Sequence, residues 1–441
     1  VHEEIAEADM QTQAQAQTQL QSQITDGDVG ARAQEQSKSL DGRLVWLMAV
    51  ACGLSVANLY YIQPLLASIG HEFAASAGQI GFVATMSQIG YACGLLLIIP
   101  LGDIINQRKL IVWMLVAVMV ALGIMALAPS LFILSFASLL VGLTTIVPQL
   151  IVPYAASLAS EGKRGRVVGT VMSGLLIGIL LARTVSGVVG QYLGWRVMYW
   201  IAAALMVLLA VALRLFLPDD NQSKRGMSYP QLLQSLWFLL RTEPIVQEIS
   251  VLGGLTFGAF SAFWVTLSFF LAAPPYHLGS DVAGLFGLVG VAGAMAATFV
   301  GRFADRGDAR LLNGASILIV CVSFILMWLT GQWMAGLIIG VILLDLGAQA
   351  NQVSCQTRVY SLNPAARNRL NTVYMVCYFL GGSLGSVLGT YGWSLWHWSG
   401  VCLVSLIMLV LALAFYAVHS RRAGVARERA MQLALERAHR N

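Results

Sequence analysis

Twelve apolar stretches alternate with short loops, and nearly all of the positive charge falls in every second loop. The stretches lie near Leu44–Leu66, Ile80–Leu101, Leu110–Ala128, Leu131–Leu158, Val167–Val189 and Trp195–Leu217 in the first half. In the second half they lie near Ile245–Ala272, Ala283–Val300, Leu312–Leu329, Met334–Val353, Leu370–Leu388 and Val401–Val418. Each is about long enough to cross a ~30 Å hydrocarbon layer as a helix, which takes ~20 residues. Of the 26 Lys and Arg, only Arg183 and Arg196 fall outside the loops and tails of one side. The positive-inside rule makes that side cytoplasmic and puts both termini there.

A chain that is 58% hydrophobic and 11% charged carries less than half the charge of an ordinary soluble domain, about 25%. The net charge of +5 follows from cytoplasmic loop charge and is no sign of nucleic-acid binding. The six cysteines (Cys52, Cys93, Cys321, Cys355, Cys377 and Cys402) lie in or beside spans without metal-ligand spacing and read as packing residues. Neither a cofactor nor a metal is expected. There is no Gly-x-x-x-x-Gly-Lys-Ser/Thr loop for ATP-driven pumping, and no convincing paired nucleophile and base for an intramembrane hydrolase. Residues 1–43 are polar, with the Gln-rich run Gln11–Gln23, and are expected to form a disordered cytoplasmic tail without a cleavable leader. Residues 419–441 form a basic cytoplasmic tail, either solvated or a short helix on anionic lipid.

The chain repeats itself. Pro100-Leu-Gly-Asp-Ile-Ile-Asn-Gln-Arg108 follows the second stretch, and Arg302-Phe-Ala-Asp-Arg-Gly-Asp-Ala-Arg310 follows the eighth. Asp103 and Asp305 are 202 residues apart, as are Arg108 and Arg310, and Arg166 and Arg369 are 203 apart. Two six-helix bundles, 44–217 and 245–418, are therefore expected, joined by a cytoplasmic linker over 218–244. Parallel halves of this kind are a transporter architecture with a site near the bilayer midplane.

These loops resemble those of the major facilitator superfamily, whose pattern after helices two and eight is roughly Gly-x-Leu-Ala-Asp-Arg-x-Gly-Arg-Lys. The second copy keeps Gly301, Ala304, Asp305, Arg306 and Arg310. The first keeps Leu101, Asp103 and Arg108 but departs at Ile99, Ile104, Asn106 and Gln107. The resemblance runs from about Leu44 to Val418. It implies an all-α membrane protein of twelve transmembrane helices in two pseudo-symmetric bundles, working by alternating access. Asp103 with Arg108, and Asp305 with Arg306 and Arg310, then become candidates for cytoplasmic gating pairs that must break as the cavity opens inward.

Charge at bilayer depth costs at least ~2.5 kcal/mol at a helix centre and usually marks function. Asp345 lies mid-way along span ten and heads a polar stripe with Gln349, Gln352 and Gln356 on one helical face. One repeat earlier stands Gly142, so the carboxylate has no counterpart, which suits a proton site. Arg183 lies two thirds along span five, in Gly178-Ile-Leu-Leu-Ala-Arg-Thr-Val-Ser-Gly187. Exporters of the resembled family often carry Gly-x-x-x-Gly-Pro-x-x-Gly-Gly there. Gly178, Ala182 and Gly187 match its small residues, and Arg183 stands in place of Pro. Arg183 is a candidate anion clamp or counter-ion to Asp345; a purely structural arginine is the other reading. The family's drug–proton antiporters usually carry an Arg on helix four where this chain has Ser138, so that coupling scheme does not transfer.

Candidate cavity walls are Asn58, Tyr61 and Gln63 beside Pro64 in span one, Thr145 and Gln149 in span four, and Phe257, Ser261, Trp264 and Ser268 in span seven. Asn371, Tyr374 and Tyr378 in span eleven are further candidates, and Trp393, Trp396 and Trp398 fit an aromatic belt at the outer interface. The expected function is proton-coupled export of a small organic solute by a monomer in the cell membrane, resembling the drug and sugar efflux branches. The alternative is an importer or facilitator of a small organic anion.

Overall fold

A computed structural model describes residues 41–218, 228–304, 309–362 and 366–440; the side chains of Asp103, Glu161, 294–304 and 421–440 lie outside the described set. The chain crosses twelve times. Span one is two helices, Gly42–Ala57 and Ile62–Glu72, followed by Ala77–Leu97, Gln107–Leu127, a divided span four (Leu131–Thr144 and Val147–Leu158), Arg164–Leu193 and Trp195–Phe216. The second half runs Pro244–Ala272, Ser280–Ala304, Ala309–Thr330, Met334–Tyr360 and one long helix, Arg367–Arg440, broken at Trp396 and His397 into spans eleven and twelve. Backbone helix continues past span twelve through the basic tail to Arg440.

The breaks have chemical causes. Pro64 has no N–H to offer the carbonyl of Tyr60. The chain turns over Asn58–Tyr61 instead, with Tyr60 N–H on the Ala57 carbonyl at 2.9 Å and Gln63 N–H on that of Tyr60 at 3.3 Å. Pro148 does the same to Thr144, and span four is interrupted at Thr145–Ile146. Helix starts are capped by side chains: Ser76 with Gln79 in a reciprocal capping box, and Asn106 accepting from Lys109 N–H at 3.0 Å.

Within each half, spans pack through glycine, where backbones can touch. A Cβ at Gly53 of span one would stand 2.6 Å from the carbonyl oxygen of Gly174 in span five; one at Gly254 of span seven would stand 3.1 Å from the carbonyl oxygen of Cys377 in span eleven. The same helix pairs are thus built twice, at the offset the sequence repeat predicts. Contacts between the halves also come in a matched pair, span five on span eight and span two on span eleven. Thr184 Oγ donates to the Gly284 carbonyl at 3.1 Å, and Gln88 Nε2 to Ser386 Oγ at 3.3 Å.

Two segments depart from expectation. The linker, read as merely polar, holds an amphipathic helix, Tyr229–Thr242, that buries Leu232 and Leu236 and anchors Tyr229 Oη to the Leu97 carbonyl at 2.8 Å. The three belt tryptophans divide. Trp396 is exposed, but Trp398 is buried, stacks on Phe270 at 4.0 Å and donates to the Met327 carbonyl at 3.0 Å. Trp398 packs the end of span seven onto spans nine and twelve, because the break at Trp396–His397 turns it inward.

Candidate functional site at the interface of the two halves

Arg183 and Asp345 are each 1% exposed. Arg183 Nε donates to Gln63 Oε1 at 2.7 Å, which uses the segment that Pro64 sets apart from the lower half of span one. The guanidinium lies over the Trp264 ring at 3.7 Å, with the Tyr60 and Phe260 rings at 5.0 and 5.8 Å. Such aromatic faces attract a cation, the more strongly when water is excluded. Spans one, five and seven therefore hold the arginine jointly. Its Nη2 has no hydrogen-bond partner.

Asp345 sits against span eight. A Cβ at Gly290 would stand 3.0 Å from its Oδ2, and a Cβ at Gly293 2.8 Å from its own Cβ. The other half explains this space. Gly142, one repeat before Asp345, itself presses on span two, where a Cβ would meet the Ser87 carbonyl oxygen at 1.9 Å. Gly290 stands one repeat after Ser87. The glycine sits on opposite helices in the two halves: on span four in the first, and on span eight in the second, where it leaves room for the carboxylate of span ten.

Span eight also packs against Arg183 of span five. A Cβ at Gly287, one turn from Gly290, would stand 3.0 Å from the arginine's Cβ. The two charges thus lie against one helix at neighbouring turns and act on each other electrostatically. They make no direct ion pair among the described residues, and Asp345 Oδ2 has no hydrogen-bond partner.

The remaining candidates spread more widely. Gln63 and Trp264 are in the cluster. Gln352 accepts from Tyr378 Oη at 3.4 Å, and Tyr378 stacks on Phe257 at 4.0 Å. Gln149 Nε2 reaches Tyr91 Oη at 3.4 Å, and the Tyr91 ring meets Phe379 of the other half at 4.4 Å. Gln349 and Gln356 are half-buried on the same stripe. Asn58 points elsewhere, its Nδ2 on Met206 Sδ at 3.4 Å within the first bundle, and Tyr61 is buried in the apolar core. Tyr60, its neighbour, is the residue that faces Arg183, because the turn at Asn58–Tyr61 shifts the helical phase.

Of the gating candidates, Asp305 and Arg306 lie outside the described residues, as does the side chain of Asp103; Gly301 is described only as helical backbone. Arg108 donates to the carbonyl of Arg214 at the end of span six. Arg310 pairs at 3.1 Å with Glu248, a residue sequence reasoning passed over. Glu248 also binds Arg358 at 2.9 Å, and Arg358 donates to Asn313 Oδ1 at 3.1 Å. This network ties spans seven, nine and ten together at the basic end of the second bundle.

A sequence profile described as the Major Facilitator Superfamily matches residues 45–385 and 285–437. The chain belongs to this superfamily. It is 43% identical over 364 residues to "Uncharacterized transporter YgaY" of Escherichia coli O157:H7, covering 82% of this chain and 92% of that one. It is 33% identical over 377 residues to "Probable transporter SCO4007" of Streptomyces coelicolor, covering 85% and 87%. Among solved structures it superposes on the nucleoside transporter NupG with a TM-score of 0.71 at 16% identity, over 85% of this chain and 99% of that one. A bacterial homologue of the lysosomal transporter Spinster gives 0.69 at 16% identity, over 87% and 98%. Superfamily membership makes the chain a membrane-spanning transporter, and the structural likeness carries the fold.

Proposed function

We propose that this transporter is a proton-coupled secondary carrier in the cell membrane, with its basic end cytoplasmic, and that Asp345 is its proton site. The supporting observation is the placement of the two buried charges. Arg183 belongs to the first half and Asp345 to the second, they influence each other without pairing, and both touch the helix along which the halves meet. Protonating Asp345 removes one of two opposite charges from that seam and so biases how the halves sit, which is what coupling requires. Gln63, Trp264 and Gln352 line the solute's path beside them; Asp103, Arg108, Asp305, Arg306 and Arg310 belong to cytoplasmic gating loops.

Export by exchange with protons is the direction favoured by the partial efflux pattern on span five. Two of its glycines have packing roles: Gly178 abuts Gly53, and Gly187 abuts Ser280 and Gly284. The second reading, an organic anion carried on Arg183, is favoured by the unpartnered Nη2. Proteoliposomes loaded with a pH dye test the coupling, with wild type beside Asp345→Asn and cationic, neutral and anionic solutes added in turn. Solute-triggered proton movement that disappears in the variant is the expected outcome. Equal solute flux in both proteins, without protons, would remove Asp345 from the mechanism.

A further inference from the structure

The narrow cleft around Arg183 is lined by Gln63, Pro64, Trp264, Leu267, Ser268 and Ala283. Three residues that line it each carry a buried polar atom with no hydrogen-bond partner: Arg183 Nη2, Trp264 Nε1 and Ser268 Oγ. Their residues are 1%, 2% and 2% exposed. Buried polar atoms without partners are uncommon, so three on one cleft ask for an explanation. Guanidinium and indole N–H can only donate, and a serine hydroxyl can donate as well as accept. What completes this set is an acceptor, and beside a guanidinium an anionic one.

Next to the cleft, at the end opposite the basic loops, lies a vestibule of about 380 Å³. That is the small end of the range for ligand pockets, ~300–1,000 Å³. Ser68, His71, Gln191 and Ser280 line it, and Pro64 and Ser268 are common to both spaces. Ser268 therefore stands where a solute would pass from vestibule to cleft.

We infer that the transported solute is a small organic anion, taken from the vestibule and bound through its acidic group by Arg183, Trp264 and Ser268. The sign of coupling follows, and this clause rests on the proposed proton role of Asp345. Among the described residues, the charged and titratable groups acting on Asp345 are Arg183 of span five and the Tyr378 phenol of span eleven; span eight brings Gly290 and Gly293 against it. An anion at Arg183 competes with the Asp345 carboxylate for one cation, so it binds best when Asp345 carries a proton. Anion and proton then occupy the carrier together, which makes this reading cotransport and sets it against the exchange that the span-five pattern favours.

The test uses the purified full chain in detergent micelles. Its probes are a panel of mono-, di- and hydroxycarboxylates of up to about ten carbons, each beside its amide and its amine. Carboxylates are expected to raise the melting temperature where amides and amines do not. Trp264→Phe removes the N–H donor and the fused five-membered ring while leaving an aromatic face; Ser268→Ala removes the hydroxyl. Each is expected to weaken carboxylate binding about tenfold, the loss of one hydrogen bond to a charged group, while Arg183→Gln abolishes it. The inference is overturned if amines bind in preference, if no carboxylate in the panel binds, or if Trp264→Phe and Ser268→Ala both leave the affinity within about twofold. Proton uptake during binding, read with a pH dye in weakly buffered solution, separates the two claims. Carboxylate binding without proton uptake would overturn the role of Asp345 and leave the anion site standing.

Discussion

The protein handles buried charge in two opposite ways. At the basic end of the second bundle, Glu248 is held by both Arg310 and Arg358, and Arg358 by Asn313 as well. At the seam between the bundles, Arg183 and Asp345 face the same helix and leave Nη2 and Oδ2 unpartnered. The difference follows from which bodies carry the charges. Glu248, Arg310 and Arg358 all belong to one half and move together, so nothing prevents them from pairing permanently. Arg183 and Asp345 belong to different halves, and a permanent ion pair would fasten the parts that the proposed carrier mechanism has to separate. Paired charges mark what moves as one body, and near-neighbours left unpaired mark where two bodies part.

The largest effect expected of this contrast is on stability. Glu248→Ala strands two arginines at a poorly hydrated helix end, and breaking a buried pair by removing one partner costs about 3–5 kcal/mol. The melting temperature in detergent should fall steeply, with loss of folded protein on expression. Asp345→Asn, measured alongside, removes a buried charge whose Oδ2 has no hydrogen-bond partner among the described residues, and should leave the melting temperature unchanged or higher. Comparable losses in both variants would end the distinction between the two regions.

What the sequence made legible, and what it did not, divides along the same line. A charge at bilayer depth is conspicuous whatever surrounds it, so Arg183 and Asp345 could be read from their positions alone. The missing N–H of Pro64 was likewise legible in the sequence, whereas the interruption of span four at Pro148, which has the same cause, was not read there. Glu248 was overlooked because it lies only four residues into its helix, where a charge passes for an ordinary flank; only the fold brings Arg310 and Arg358 to it. One signal was available: the positions one repeat earlier than Glu248 and Arg358 are Val45 and Ala155. A charge that appears in one half with an opposite charge appearing in the same half suggests a pair. The exchange of glycine between helices was hidden for a different reason. Reading it requires knowing that Gly142 meets Ser87 and Asp345 meets Gly290, and contacts between spans are not encoded in periodicity. Asn58 and Tyr61 were expected on the cavity wall and Tyr60 was not, because helical phase does not survive the turn over Asn58–Tyr61.

A middling effect is expected where span eight supports the central charges. Gly290→Ala puts a methyl 3.0 Å from Asp345 Oδ2 and 3.2 Å from its Cγ, closer than a carboxyl group tolerates without moving. Overpacking of this kind costs about 1–3 kcal/mol. Because the carboxylate must shift relative to Arg183, solute-driven proton movement should drop more than the melting temperature does. Gly123→Ala, which meets nothing within 4 Å, is the matched control and should change neither. A Gly290→Ala protein with full proton coupling would mean that the seat of Asp345 on span eight is packing alone.

The smallest effect belongs to the hydrogen bonds that hold the halves together near the vestibule. Ser280 Oγ donates to the Gly187 carbonyl at 3.0 Å, and Ser280 N–H to Gln191 Oε1 at 3.1 Å. These bonds join spans five and eight without any charge, as suits contacts that must break and reform in each cycle. Ser280→Ala removes one such bond, worth about 1 kcal/mol, which changes a two-state population by about fivefold. The shift should favour the arrangement open at the vestibule end. A cysteine placed at Ala67, on the vestibule wall, reports it: its rate of modification by a membrane-impermeant thiol reagent should rise several-fold in the Ser280→Ala background. The same substitution should not touch the Glu248 network, so the unfolding midpoint should move by less than it does for Gly290→Ala. If Ala67→Cys labels at one rate in both backgrounds, the Ser280 bonds do not govern access from that end, and the seam is held by the glycine contacts of spans five and eight and of spans two and eleven.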